Sequence, residues 1–309
     1  MSRPFLSVVV PTFHRNQSLA QILEALRPGQ PALAPELYEV IVSDAGTHTT
    51  AKALLEESYP WAILVSAKGC SPGANRNTGA KVATGEWLVF VDDDCRIEPG
   101  FLDGYYAMAK TGLFDVLEGK ITCQEKANSP FRRQVQNLSG GILITGNLAL
   151  RRELFLRLGP FDEDLKIAED LELAHRLRTG GARIGFCAEA TVDHPSQPTG
   201  WRHFWTNTFH RRWFVLYRYK LEGSGLLKNP LPLALARTTC EEFIFWLRVT
   251  WHLFSQHDPG TWRFHWFWTL WGWLSLPVTL PCIWFWECRY RNAIRNGEIQ
   301  LRASSPRAS

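Results

Sequence analysis

The segment Leu88-Val89-Phe90-Val91-Asp92-Asp93-Asp94 constrains this chain more than any other. Four apolar residues in a row read as a strand buried on both faces, as in a parallel sheet covered by helices. Three carboxylates then stand at its C-terminal end, where open α/β sheets place their ligands. Adjacent anions repel one another unless a cation lies among them. A hard divalent ion such as Mg²⁺ or Mn²⁺ takes oxygen ligands and often shares them with a phosphate. A solvated acidic turn is the other reading of the triplet taken alone. If the extended geometry persists, Asp92 and Asp94 share one face of the pleat and Asp93 points the other way.

The surrounding pattern supports an α/β fold. Leu6–Val10, Tyr38–Val42, Trp61–Val65 and Trp87–Val91 read as short buried strands. Between them, Gln17–Leu26, Thr50–Glu57 and Pro72–Ala83 read as helices. Such alternation predicts βαβ units and a mostly parallel sheet. Right-handed crossovers bring the loops after the strands to one rim. Those loops carry Pro11-Thr12, Ser43-Asp44-Ala45-Gly46 and the acidic triplet. Further on, the pattern predicts a helix over Phe101–Lys110, strands near Asp115–Ile121 and Leu143–Leu150, a helix near Ile167–Arg178 and a strand at Arg183–Cys187.

Composition sets limits on the whole. The chain has 309 residues and a net charge of +4, without the concentrated basic runs of a nucleic-acid binder. Its seven cysteines are scattered, with no CxxC pair, which points to a reducing compartment. Met1–Phe5 runs into the first strand, so no secretory leader is expected. Tryptophan divides the chain: two fall before residue 200 and twelve lie between Trp201 and Trp286. Phe264–Trp286 carries no Asp, Glu, Lys or Arg, with His265 its one histidine, and has the length of a bilayer span, kinked at Pro277 and Pro281. The expected division is a catalytic domain over 1–225 and a hydrophobic helical region over 226–309. That region is read as a kinked span, as interfacial helices in the headgroup layer, or as an aromatic core. The corresponding location is the cytoplasmic face of a membrane.

Familiar nucleotide loops are absent. The first strand leads into Pro11-Thr12-Phe13-His14-Arg15, without GxGxxG, and no GxxxxGK[ST] sequence occurs. Instead, Gly69-Cys70-Ser71-Pro72-Gly73 turns into a helix whose first turns hold Asn75, Arg76 and Asn77. A guanidinium there suits a base edge or a phosphate, or is a surface arginine. Asp170 shares a helix face with Leu173, Ala174 and Leu177, while Glu169, Glu172 and Arg176 fall on another stripe. A carboxylate drawn toward an apolar side either satisfies buried donors or faces a pocket as a general base.

Taken together, these blocks resemble glycosyltransferase family 2, of the GT-A fold. Ser7–Thr12 is similar to its first strand and Pro-containing turn, Asn75–Gly79 to its ARN-G block, and Leu88–Asp94 to its DxD strand. Gly146-Asn147, Gly159-Pro160-Phe161-Asp162 and Glu169-Asp170 resemble its GN, GxFD and ED series. The resemblance covers roughly residues 5–195. It implies a Rossmann-like, mostly parallel mixed sheet flanked by helices, and an inverting transfer of a sugar from a nucleoside diphosphate donor, a UDP-sugar, to a saccharide or lipid-linked hydroxyl.

The resemblance also implies roles. Pro11, Thr12, Asp44, Arg76, Asp92 and Asp93 fall on the donor side, with Asp44 at the base; Ala45 stands where the family usually has a second acid. Asp94, with Asp92 toward the ribose or the metal, would hold Mn²⁺ or Mg²⁺, and His194 resembles a histidine that approaches the metal in some relatives. Asp170 matches the catalytic base. Gly146, Asn147 and Glu169 are acceptor-side or supporting. A sugar nucleotidyltransferase and a non-catalytic membrane scaffold are the alternatives at this stage.

Overall fold

The structure, a computed structural model, describes residues 3–46, 50–67, 71–125, 132–198, 201–255 and 262–301. Gly69 and Cys70 of the expected turn lie outside the described residues. The elements are, in order, β1 (Leu6–Thr12), α1 (Asn16–Ala25), β2 (Tyr38–Asp44), α2 (Thr50–Ser58), β3 (Ile63–Ser66), α3 (Pro72–Val82), β4 (Trp87–Val91), β5 (Arg96–Ile97), α4 (Phe101–Lys110), β6 (Val116–Thr122) and β7 (Arg132–Arg133). They continue with β8 (Asn147–Arg151), α5 (Arg152–Leu158), α6 (Glu169–Thr179), β9 (Ile184–Asp193), β10 (Gln197–Pro198), α7 (Trp201–Glu222), α8 (Leu231–Ser255) and α9 (Trp262–Arg295).

The chain forms two compact units, residues 1–125 with 135–195, and residues 126–134 with 196–309. The first is built on an eight-stranded sheet of order β3-β2-β1-β4-β8-β6-β9-β5. β1 to β4 are parallel, β8 runs antiparallel to both its neighbours, and β6 and β9 are again parallel. The expected mixed α/β sheet is therefore present. On β4, Trp87, Val89 and Val91 enter one apolar cluster and Leu88 and Phe90 the other. Alternation across a strand buried on both faces explains the unbroken apolar run, and each such side chain contributes about 2 kcal/mol.

Strand direction decides which residues meet. Thr12 ending β1 pairs with Asp44 ending β2. Val91 ending β4 pairs with Asn147, which begins the reversed β8. Thr122 and Asp193 close β6 and β9 side by side. One rim thus gathers Thr12, Asp44, the acidic triplet, Gly146-Asn147 and His194.

Two expected strands differ, each for a local reason. Leu143 does not begin β8, because Leu143 (φ 62°), Gly140 and Gly141 take left-handed backbone. The N–H groups of Gly141, Ile142 and Leu143 donate to the buried Glu118 carboxylate at 2.7, 2.9 and 2.6 Å instead of to a ladder. β9 runs beyond Cys187 to Asp193, across a register shift opposite Gly119 and Lys120. Asn147 fills that irregularity. Its Nδ2 donates to Lys120 O (3.0 Å) and Ala190 O (2.8 Å), and its Oδ1 accepts from Tyr105 Oη (2.6 Å). A Cβ at Gly119 would lie 2.2 Å from Asn147 Nδ2, so only glycine leaves room. Asn147→Ala strands three hydrogen-bond partners, two of them in fully buried bonds, and is expected to cost about 3 kcal/mol, read as a lower midpoint in urea with unchanged m.

The second unit is helical. In it, Arg211 pairs with Glu242, and Arg218 and Tyr219 both reach the buried Glu287. Arg291 donates to Leu226 O, Leu227 O and Asn229 O. These ties hold α7 with α8 and α9, so the break falls after Pro195 and not near residue 225. Among the described residues no helix is long and apolar enough to cross a membrane, which corrects the expected kinked span over Phe264–Trp286. The physical reason lies in α9 itself. Its apolar look comes largely from tryptophan, whose indole carries a polar N–H. It also buries Thr269, Ser275, Thr279, Glu287 and Arg291.

Candidate active site

The acidic triplet leaves the strand and turns, with Cys95 N donating to Asp92 O at 3.1 Å. The pleat therefore does not extend through it, but the three carboxylates still separate. Asp93 is buried against β1, where Thr12 Oγ1 donates to its Oδ2 at 2.6 Å and Arg15 Nη1 to its Oδ1 at 3.1 Å. Burial carries its carboxyl up to about 6, against the pull of Thr12 and Arg15. Asp92 and Asp94 are partly open. Thr12 and Asp93, two of the six residues expected on the donor side, thus satisfy each other within the fold. Pro11 stays half-buried in the β1–β2 register.

Asp94 faces His194. His194 Nδ1 lies 2.9 Å from Pro195 O, an acceptor only, so Nδ1 carries the proton. In the neutral ring Nε2 presents its lone pair, and it lies 3.7 Å from Asp94 Oδ1. One ligand atom each from Asp94, Cys95 and His194 lies within 4.8 Å of the others. Burial pushes the Cys95 thiol well above its ordinary value, so the carboxylate and the imidazole are the ready donors. A carboxylate oxygen and an imidazole nitrogen suit Mn²⁺, and the donor set fits a divalent ion. Asp92 stands apart from this set.

Asp92 belongs to a second constellation. Arg76, buried on α3, donates from Nη2 to Asp92 Oδ1 at 2.6 Å and from Nη1 to Glu169 Oε1 at 3.0 Å. Burial opposes its charge, yet Asp92 and Glu169 hold its basicity above the ordinary value. Burial likewise raises the Glu169 carboxyl, against Arg76. Arg76 is thus committed to two acids of the fold. Its neighbours make the placement. Asn75 Nδ2 donates to Thr12 O at 3.0 Å, and Asn77 exchanges hydrogen bonds with the backbone of Phe161. Ser71 caps α3 by accepting from Ala74 N. Gly146 lets Asp92 approach, since a Cβ there would lie 3.1 Å from Asp92 Oδ2.

The helix face read for Asp170 is corrected. Glu169 and Glu172 are the buried acids of α6, and Asp170 is half-exposed. The Glu172–Arg176 pair turns inward because Arg176 also donates to Leu158 O, Gly159 O and Pro160 O, fixing the loop before Phe161. Asp170 accepts only from the adjacent Leu171 N (2.8 Å) among its described bonds, and Arg76 feels its charge. An open carboxylate beside a buried ion pair can take a proton from a bound hydroxyl. Asp44 lies at the end of β2, where its Oδ1 accepts from Gly46 N at 2.7 Å.

Sequence reasoning missed Arg15, which pairs with Asp93 and Asp94 of the triplet as Arg76 does with Asp92. It occupies the loop after β1, on the strand next to β4. The repulsion among three adjacent acids was the signal that could have found it.

Comparison with known proteins agrees with this architecture. The description "Glycosyl transferase family 2" matches residues 7–161. The glycosyltransferase AglE of Haloferax volcanii is 26% identical over 212 residues, covering 64% of this chain and 69% of its own length. The mannosyltransferase PcManGT of Pyrobaculum calidifontis, solved with GDP-Man and Mn²⁺, superposes with a TM-score of 0.52 at 17% identity, over 97% of this chain and 77% of that one. S. aureus TarS residues 1–349, solved with UDP-GlcNAc, superposes with a TM-score of 0.52 at 22% identity, over 70% of this chain and 66% of that one. A longer TarS chain is spanned to 40% of its length. At these identities the solved structures speak for the fold alone, which is of the GT-A type. Half the chain lies within the family match, on the strands and loops that build the rim, and the chain belongs to glycosyl transferase family 2.

Proposed function

We propose that this chain transfers a sugar from a UDP-sugar to a saccharide or lipid-linked hydroxyl, with inversion, in the assembly of a polysaccharide, glycolipid or lipid-linked glycan. One observation carries the reading: the Arg76–Asp92 ion pair lies within range of the charge of the open Asp170, and Asp94, two residues beyond Asp92, faces His194. Asp94 and His194 would hold the divalent ion, which when bound supplies positive charge to the departing diphosphate. Asp170 takes the proton as the acceptor oxygen bonds to the anomeric carbon. The bond from that carbon to the diphosphate breaks, and its electron pair leaves with the phosphate. A single displacement with one base inverts the centre. Asp44, with one oxygen already engaged by Gly46, offers the other to one ring N–H, as uracil presents. The solved relatives bind both UDP-GlcNAc and GDP-Man, so the base is tested directly. In thermal-shift titrations with Mn²⁺, UDP is expected to raise the melting temperature more than GDP. A larger shift with GDP would overturn the choice of base, and no shift with either would overturn the donor class.

The proposal includes work at an anionic membrane surface. On α8, Phe243, Leu247 and Trp251 are exposed at four-residue spacing, Trp251 to 76%. On α9, Trp266, Leu270, Leu274 and Val278 repeat that spacing outward, while Thr269, Ser275 and Thr279 are buried. Apolar outside and polar inside is the reverse of a water-facing helix. Indoles with nearby arginines such as Arg289 suit the headgroup layer. The intact chain is expected to sediment with vesicles containing phosphatidylglycerol. The triple change Leu247→Ser, Trp251→Ser, Leu274→Ser is expected to weaken that binding at least about tenfold, since each large apolar side chain withdrawn from the headgroup layer removes more than about 1 kcal/mol. Equal sedimentation would remove the membrane from the proposal.

A further inference from the structure

Arg15 lies where no role has been given to it. Its Nη1 donates to Asp94 Oδ2 at 2.7 Å and to Asp93 Oδ1 at 3.1 Å, while half its side chain stays exposed. The two oxygens of Asp94 are therefore divided, Oδ2 to Arg15 and Oδ1 toward His194 Nε2. Asp93, in turn, is fixed from β1 by Thr12. His14, just before Arg15, adopts left-handed backbone (φ 54°), a conformation that residues with a side chain rarely take. That strained turn brings Arg15 onto the end of the neighbouring strand.

We propose that Arg15 is a positioning residue for the divalent ion. Resting on the metal reading of Asp94 and His194, it aims Asp94 Oδ1 at the imidazole by holding Oδ2. The middle acid of the triplet then has a purpose without touching the ion: Thr12 anchors Asp93, Asp93 anchors the guanidinium, and the guanidinium orients Asp94. On the opposite side Pro195 O orients His194 in the same manner. Ligands of a metal are commonly held by such outer hydrogen bonds, and losing one weakens metal binding about 10–100-fold.

Two forces predict opposite signs, which makes the test decisive. As a mere positive charge beside a dication, Arg15 would repel it, and Arg15→Gln would bind Mn²⁺ more tightly. As a positioning residue, its loss weakens binding. Mn²⁺ titrations of the full chain, following the free ion by electron paramagnetic resonance, are expected to give Arg15→Gln a dissociation constant at least about tenfold higher than wild type. Arg15→Lys, which keeps the charge and one donor, is expected to fall between. Melting curves of each variant establish that it is folded, and Arg15→Lys serves should Arg15→Gln fail. Equal or tighter binding by Arg15→Gln, with Asp94→Asn losing Mn²⁺, overturns the role of Arg15 alone. Mn²⁺ binding that survives Asp94→Asn overturns the metal reading and this inference with it.

Discussion

Asp94→Asn is expected to reduce kcat/KM for sugar transfer by about 10³ at a fixed Mn²⁺ concentration, whereas Asp93→Asn stays within about tenfold of wild type. The first figure corresponds to about 4 kcal/mol, the scale on which a metal-held charge stabilises a departing diphosphate. Asp94 has an oxygen directed at His194 and partly open surroundings. Asp93 is buried and spends its oxygens on Thr12 and Arg15. An asparagine there keeps one acceptor and loses a charge that burial already disfavours. Initial rates across a Mn²⁺ series separate the two. Equal losses would end the division of labour between the acids.

Asp170→Asn is the second large effect. The amide keeps the shape and the hydrogen bond from Leu171 but cannot accept a proton. A fall in kcat of about 10²–10⁴ is expected, with little change in KM for the donor, because general base catalysis is worth that much and the donor does not depend on it. Nucleotide-induced thermal shifts should persist in this variant. A variant that retains more than a tenth of wild-type kcat would move the base elsewhere. The anomeric configuration of the product, read by NMR, checks inversion independently.

Much of the first unit is legible in the sequence because its strands are buried on both faces. β4 coincides with the run Trp87–Val91, and α4 with Phe101–Lys110. What periodicity could not give were places where a side chain replaces a ladder. Ile142–Ile144 is as apolar as a strand, yet Glu118 takes the N–H groups of Gly141, Ile142 and Leu143. The β9 register shift hid the last six of that strand's ten residues. The alternation of strands and helices made it legible that the loops with Thr12, Asp44 and the acidic triplet share one rim, but the partners of Arg76 were not foreseeable. Whether a guanidinium meets a ligand or two acids depends on α6, ninety-three residues away from it. The face of α6 was misjudged for a related reason. Helical spacing assigns stripes, but three carbonyls of residues 158–160 attracted Arg176, and Glu172 with it, to the inner one.

Arg76 also ties catalysis to folding. It joins Asp92, sixteen residues on, to Glu169, ninety-three residues on. No short segment contains this junction, so the rim assembles only when α3, the end of β4 and α6 have docked together. Nucleotide should therefore bind the native chain and not its partly folded forms, and at one hundred times its dissociation constant it would add about 2.7 kcal/mol to the free energy of unfolding. In a cell rich in the proposed donor, that would make the substrate a folding ligand, protecting the occupied enzyme from the proteases that clear its empty, transiently open copies.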